Sequence, residues 1–304
     1  MRRLERPTST SRTWRASQLC YIPIYISTAK VQIFLFLPIF FIYFCIELRL
    51  EKKKVENKES VFSRTTLLIG NEAMQRLAEV RVILFGIGGV GSWCAESLIR
   101  SGIRYLTIVD PDTVHSTNIN RQLPATSQTI GQAKVDVLKI RLLEINPEAH
   151  ITAIQGIYNA KTSDSFNLSS YHYILDAIDS LENKVHLIGA ATQSQATFFS
   201  SMGAALKMNP SKIQVAEFWN VHGCPLAAAL RRKLKKGTIP AKKFLCVFSD
   251  EVLENKGNQD ANSIESPPFG DNQKTNINGS LVHVTAVFGF TLAGLVIQDV
   301  CMGK

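Results

Sequence analysis

Val80-Arg81-Val82-Ile83-Leu84-Phe85-Gly86-Ile87-Gly88-Gly89-Val90-Gly91 decides the fold. Val80 to Phe85 is apolar except at Arg81, the composition of a strand buried on both faces of a parallel sheet. The glycines of the following turn let the backbone bend tightly and come close to a phosphate. A helix predicted from about Val90 to Ser101, with Gly102 as its stop, offers free N–H groups to an anion at its start. A second apolar run, Leu106 to Val109, ends in Asp110, some twenty residues past the loop, where an acid suits ribose hydroxyls. Strand, loop, helix, strand and acid in this order predict a nucleotide site in an α/β fold. This much does not separate NAD from ATP.

The next segment does. It reads Asp110-Pro111-Asp112-Thr113-Val114-His115-Ser116-Thr117-Asn118-Ile119-Asn120-Arg121-Gln122, with Lys134 following in Gly131-Gln132-Ala133-Lys134. Hydride transfer has little use for Arg and Lys converging here. Expulsion of pyrophosphate does, because negative charge grows on the leaving group in the transition state. Tyr173-Ile174-Leu175-Asp176-Ala177-Ile178-Asp179 reads as a further strand ending in carboxylates, and a carboxylate there can hold Mg²⁺ against phosphates.

Gly-x-Gly-Gly-x-Gly, Asp-x-Asp-x-Val, Asn-x-x-Arg-Gln, Lys and Asp in this order resemble the adenylation core of the ubiquitin-activating-enzyme-like superfamily, over residues 60–300. The resemblance implies a Rossmann-like, doubly wound, mainly parallel sheet with helices on both faces, a ThiF-type adenylation domain over 61–304, and a homodimer. It places Gly86, Gly88, Gly89 and Gly91 along the phosphates and Asp110 at the ribose. Asn118, Arg121 and Lys134 would contact the phosphates of ATP, with Asp112 and Gln122 in the same site. Asp179 would position Mg²⁺. Arg64, in Phe62-Ser63-Arg64-Thr65, matches an arginine that the superfamily donates across its dimer interface; its bland alternative is a solvated charge at a helix start.

Within the superfamily, enzymes that adenylate sulfur-carrier proteins usually hold zinc on two C-x-x-C pairs. The six cysteines here (Cys20, Cys45, Cys94, Cys224, Cys246, Cys301) form none, so no zinc is expected, and their scatter suits reduced thiols. Ser200-Ser201-Met202-Gly203-Ala204, Lys207-Met208-Asn209-Pro210, Cys224-Pro225-Leu226 and Asn278-Gly279-Ser280 ahead of an apolar helix over Val284–Val300 resemble the tRNA threonylcarbamoyladenosine dehydratases. That group implies ATP-dependent cyclisation of a modified adenosine beside the anticodon. The alternative is adenylation of the Gly-Gly terminus of a ubiquitin-like sulfur carrier. Residues 200–304 form the substrate-side half. A monovalent cation and sulfur-transfer partners stay open.

Arg231, Arg232, Lys233, Lys235 and Lys236 put five cations into six positions, which reads as a patch for tRNA phosphates or as one solvated face of an amphipathic helix. Cys224 reads as a nucleophile, a bystander or a packing residue; the cyclisation needs no covalent enzyme intermediate. Residues 250–275, polar and with Pro267-Pro268, read as a loop.

The chain of 304 residues carries a formal charge of +9, unevenly placed. Residues 1–50 hold seven Lys/Arg against two acids, which leaves a surplus of only four over 51–304, so global charge alone makes no case for nucleic acid. The 1–60 extension has an Arg- and Ser/Thr-rich start, then an apolar run from Val31 to Ile46. As a helix that run spans roughly 24 Å, short of a ~30 Å hydrocarbon core. A membrane contact through 31–46, a targeting segment, and upstream sequence translated from an early start all remain open. The catalytic body is expected in the cytoplasm, membrane-associated if the extension is an anchor.

Overall fold

The structure, a computed structural model, describes residues 60–257 and 278–303, together with the backbone of two strands nearer the N-terminus. The chain divides into two compact units, Met1–Val61 and Phe62–Lys304. In the first, β1 (Tyr21–Thr28) pairs antiparallel with β2 (Val31–Pro38). The first half of the apolar run is therefore strand rather than the start of a spanning helix. Residues 39–46 lie outside the described residues, as do 258–277 of the polar stretch.

The second unit is built on a seven-stranded sheet in the order β5-β4-β3-β6-β7-β9-β8. Its strands are β3 (Arg81–Phe85), β4 (Tyr105–Val109), β5 (His150–Ile154), β6 (Tyr173–Asp176), β7 (Thr197–Ser201), β8 (Ile213–Glu217) and β9 (Leu245–Ser249). All pairings are parallel except β8 with β9. The strand order reverses beside β3, between β4 and β6, and a reversal of this kind opens the crevice where α/β sheets bind ligands.

Helices α1 (Ser63–Glu79), α2 (Gly91–Arg100), α3 (Lys134–Ile145), α4 (Leu181–Gln193), α5 (Pro225–Lys236) and α6 (Val282–Cys301) cover the sheet. One core cluster joins α2, α3 and α6 to one face; a second joins α4 and α5 to the other. The expected doubly wound architecture is thus present. By length and composition α6 is apolar enough to cross a membrane, yet half of it is buried, with Val284, Phe288, Leu292 and Val296 in the core. It extends slightly beyond the predicted Val284–Val300. Gly289 lets it approach α2: a Cβ there would lie 2.5 Å from the Val90 carbonyl oxygen and 2.8 Å from the Cys94 nitrogen. Glu96 of α2 ties in α3 through Arg141, at 2.6 Å, and also takes Arg100. Burial opposes its ionisation, but the two guanidiniums prevail and hold its carboxyl below the usual range.

Candidate active site

The four loop glycines divide into two kinds. Gly86 sits at φ +88°, and a Cβ there would lie 2.6 Å from the Ala177 carbonyl oxygen; one on Gly91 would lie 1.8 Å from the oxygen of Gly86. These two are glycine because the turn folds back on itself and onto the end of β6. Gly88 has room, its nearest neighbour being the Gln122 side chain at 3.8 Å, while Gly89 packs closely on the Thr285 and Arg121 side chains at 3.3–3.4 Å. The open floor for a phosphate is therefore at Gly88, with Arg121 beside it at Gly89.

Asp110, buried at the end of β4, accepts the Ile87 N–H at 2.6 Å on one oxygen and the Asp112 N–H at 2.9 Å on the other. Burial raises its pKa, while Lys134 and these two N–H groups act the opposite way. The acid expected at the ribose thus also anchors the loop. Lys134, at the start of α3, is 4% exposed and bridges to Asp112 at 2.8 Å. Where the sequence suggested a lysine aimed at phosphate, the structure holds it on a carboxylate that it must share with any phosphate it meets.

The Asn-x-x-Arg-Gln turn is pinned against the loop by side chains whose part the sequence did not reveal. Ser92 Oγ donates to the Gly88 carbonyl at 2.7 Å and accepts the Leu123 N–H at 3.2 Å. The Trp93 indole donates to the Arg121 carbonyl at 3.1 Å. Asn120 Nδ2 donates to the Ser280 carbonyl at 3.1 Å, so the chain ahead of α6 closes the same site. Asn118 is buried, and its side-chain oxygen accepts the His115 N–H at 3.1 Å, an anchoring bond that leaves its amide NH2 as the group able to donate to a phosphate. Arg121 is half-buried, which lowers its pKa, with the Asp179 carboxylate opposing that shift. Arg121 and Asp179 therefore share one electrostatic neighbourhood, and Asp179 is exposed. The Gln122 side-chain oxygen is buried without a hydrogen-bond partner. The atom that faces Gly88 is the Gln122 amide nitrogen, a donor able to meet a phosphate oxygen over the loop.

Below these groups lies a further ion pair, Asp176 with Lys184, both fully buried at 2.8 Å. It was legible in part: Lys184 shares the face of Leu187, Ile188 and Ala191 at helical spacing, which places a lysine on the apolar side of α4.

The remaining candidates are not brought to the loop as a group. Arg64 is exposed in the first turn of α1. Cys224 immediately precedes α5 and is 5% exposed, packed in the second core cluster, the placement that a packing residue takes. The basic run does not form one patch, because six successive positions pass right round a helix. Arg231 turns inward and donates to the Phe218 and Val221 carbonyls at 3.1 and 2.7 Å. Lys233 pairs with Glu182, and Lys235 lies 5.8 Å from the centre of the Trp219 ring. Arg232, Lys235 and Lys236 are the exposed cations of the five.

The same loop, acid, turn and lysine belong to one known family, whose profile matches residues 62–301. The chain belongs to the ThiF family. Among its relatives, tRNA threonylcarbamoyladenosine dehydratase of Bacillus subtilis is 37% identical over 248 residues, covering 78% of this chain and 93% of that protein. The dehydratase of Haemophilus influenzae is 33% identical, covering 83% and 97%. The crystal structure of the Escherichia coli dehydratase TcdA in complex with ATP superposes with a TM-score of 0.70 at 32% identity, covering 80% of this chain and 94% of that one. TcdA has also been crystallised with AMP.

Proposed function

We propose that this protein is an ATP-dependent tRNA threonylcarbamoyladenosine dehydratase. The observation that carries the proposal is the meeting of Gly88 with the Gln122 amide nitrogen and of Gly89 with Arg121 at the end of β3, in a chain that aligns with 93% of a dehydratase. The threonine carboxylate of the modified adenosine attacks the α-phosphate of ATP. A mixed anhydride forms, and pyrophosphate leaves. An atom of the same side chain then attacks the activated carboxyl carbon and loses its proton, and AMP departs with the carboxylate oxygen. The net change is loss of one water. Ring closure is intramolecular, which removes the entropic cost of bringing the reactants together.

Arg121 and Lys134 supply positive charge where the pyrophosphate develops. Asp110 holds the loop and has lone pairs left for the ribose. Asp179, exposed beside Arg121, is the carboxylate that would hold Mg²⁺ against the substrate phosphates, where the ion would neutralise phosphate charge. Leu67 and Leu68, 87% and 85% exposed on the same helix as Arg64, support a homodimer contact there. Arg232, Lys235 and Lys236 are the candidates for tRNA phosphates. Among the described residues the cysteines are all free thiols, in keeping with a cytoplasmic catalytic unit.

The test measures pyrophosphate release from ATP with tRNA carrying the threonylcarbamoyl group, with unmodified tRNA, and without RNA. Release with the modified tRNA alone, together with loss of one water's mass from the base, is expected. Absence of release in all three arms would move the substrate to a Gly-Gly-ended carrier protein.

A further inference from the structure

We propose that Lys184 is a positioning residue for the ATP chemistry, acting through Asp176 and the Ile178 carbonyl to fix the turn that carries Asp179. The proposal rests on the nucleotide-site assignment above. Lys184 Nζ lies 2.8 Å from Asp176 Oδ2 and donates to the Ile178 carbonyl at 2.9 Å. Asp176 accepts the Ile178 N–H at 3.0 Å on one oxygen and the Ser200 hydroxyl at 2.7 Å on the other. Strands β6 and β7 and helix α4 thus meet at one charged point, with both ionic side chains 0% exposed.

Stability alone is a poor reason for such a pair. Apolar side chains of similar volume often hold elements together as well or better, since neither has to leave water as an ion. What the pair does specify is the path of residues 177–180. At one end of that turn, Ala177 donates its N–H to the Phe85 carbonyl at 2.8 Å, and its own carbonyl is the floor against which Gly86 must lack a Cβ. At the other end is Asp179, facing the neighbourhood of Arg121. One buried latch therefore sets both the base of the phosphate loop and the position of the carboxylate. Enclosed as it is, the Lys184 ammonium reaches the phosphates only through this turn. A catalytic group loosened by about 1 Å loses on the order of a hundredfold in rate.

The test uses the full chain carrying Lys184→Met with Asp176→Asn, which removes both charges; the amide oxygen can still accept the Ile178 N–H, and the amide NH2 can donate to a Ser200 hydroxyl turned to accept it. Three quantities are measured: affinity for ATP with Mg²⁺ and for AMP by calorimetry, kcat and KM for ATP–pyrophosphate exchange with modified tRNA, and the melting temperature. We expect kcat to fall about a hundredfold and ATP affinity about tenfold, with AMP affinity changed less than about threefold. Asp179→Asn should cost about a hundredfold in the parent and only a few-fold in the double variant, because both act through one turn. An equal cost in the two backgrounds would overturn the proposal and leave a plain structural pair. Should the double variant fail to fold, Ser200→Ala takes its place in the same cycle, with a loss of about fivefold expected and the same non-additivity deciding. Should the parent show no exchange with any RNA, the dehydratase assignment fails separately. Selective loss of ATP over AMP affinity then still supports the latch, and unchanged affinity for both overturns it.

Discussion

The glycine loop after β3 and the basic run on α5 were the two most conspicuous patterns in the sequence, and they fold in opposite ways. Around the loop the residues named in advance converge with their neighbours: Asp110 on the Ile87 N–H, Lys134 on Asp112, Gln122 beside Gly88. Along α5 the five cations disperse, two of them into internal bonds. The difference is one of constraint. A loop of glycines is dictated by backbone geometry, where a Cβ either fits or does not. A run of long charged side chains leaves every direction round the helix open, and each takes the nearest acceptor.

The largest expected effect tests the backbone side of this contrast. Gly91→Ala would place a Cβ 1.8 Å from the Gly86 carbonyl oxygen, and Gly86→Ala would combine φ +88° with a clash on backbone. Each should cost about 3–4 kcal/mol in chemical denaturation. Gly88→Ala meets only the end of a glutamine side chain and should fold normally while weakening ATP binding measured by calorimetry. Equal destabilisation at all three positions would break the division of the loop into closing and open glycines.

Lys134→Ala comes next. It should lower ATP–pyrophosphate exchange by about 10²–10³-fold, in the range seen when one transition-state donor is removed. The melting temperature should move by only a few degrees, because Asp112 is 42% exposed and regains water when its partner goes. Exchange near the parent rate would show the Lys134–Asp112 bridge to be structural.

The site was legible where chemistry follows from local order along the chain. Gly86 to Gly91, Asp110 and Asp179 lie at the ends of strands or in the turns just after them, with Arg121 past the 3-10 turn 116–118 and Lys134 at the start of α3, so an ordered motif series names them. Ser92 and Trp93 were not legible, because their part is to bond across long sequence separations and their own types are unremarkable; Ser280 stood out only as part of the motif ahead of α6, not as the partner of Asn120. Lys184 falls between: its place on an apolar helix face was visible, but its partner Asp176 had been read only as the end of a strand. The N-terminal apolar run shows the limit of composition, since a stretch weighed as a membrane-spanning helix begins as strand β2 in a hairpin.

On α5 the expected effects are smaller and separable. Reversing Arg232, Lys235 and Lys236 to Glu should weaken tRNA binding about tenfold or more at low salt and reduce the salt slope by about two to three. Arg231→Ala should instead cost about 1–2 kcal/mol of stability, because the Val221 carbonyl loses its donor and the Phe218 carbonyl keeps only the Val221 N–H, and leave the salt slope alone. If Arg231 and the outward trio affect the salt slope equally, the helix acts as one patch after all.

The smallest effect sharpens the same point. Lys233 and Glu182 are 38% and 68% exposed, so Glu182→Ala should change stability by less than about 0.5 kcal/mol. Its informative readout is tRNA binding. Releasing Lys233 from its carboxylate adds a free cation on the flank of α5 that faces α4. A rise in the salt slope of about one would mean that RNA lies along that flank, and that Glu182 competes with phosphate for the lysine. An unchanged slope would confine the RNA to the outward trio and leave Lys233 as a tie between the two helices.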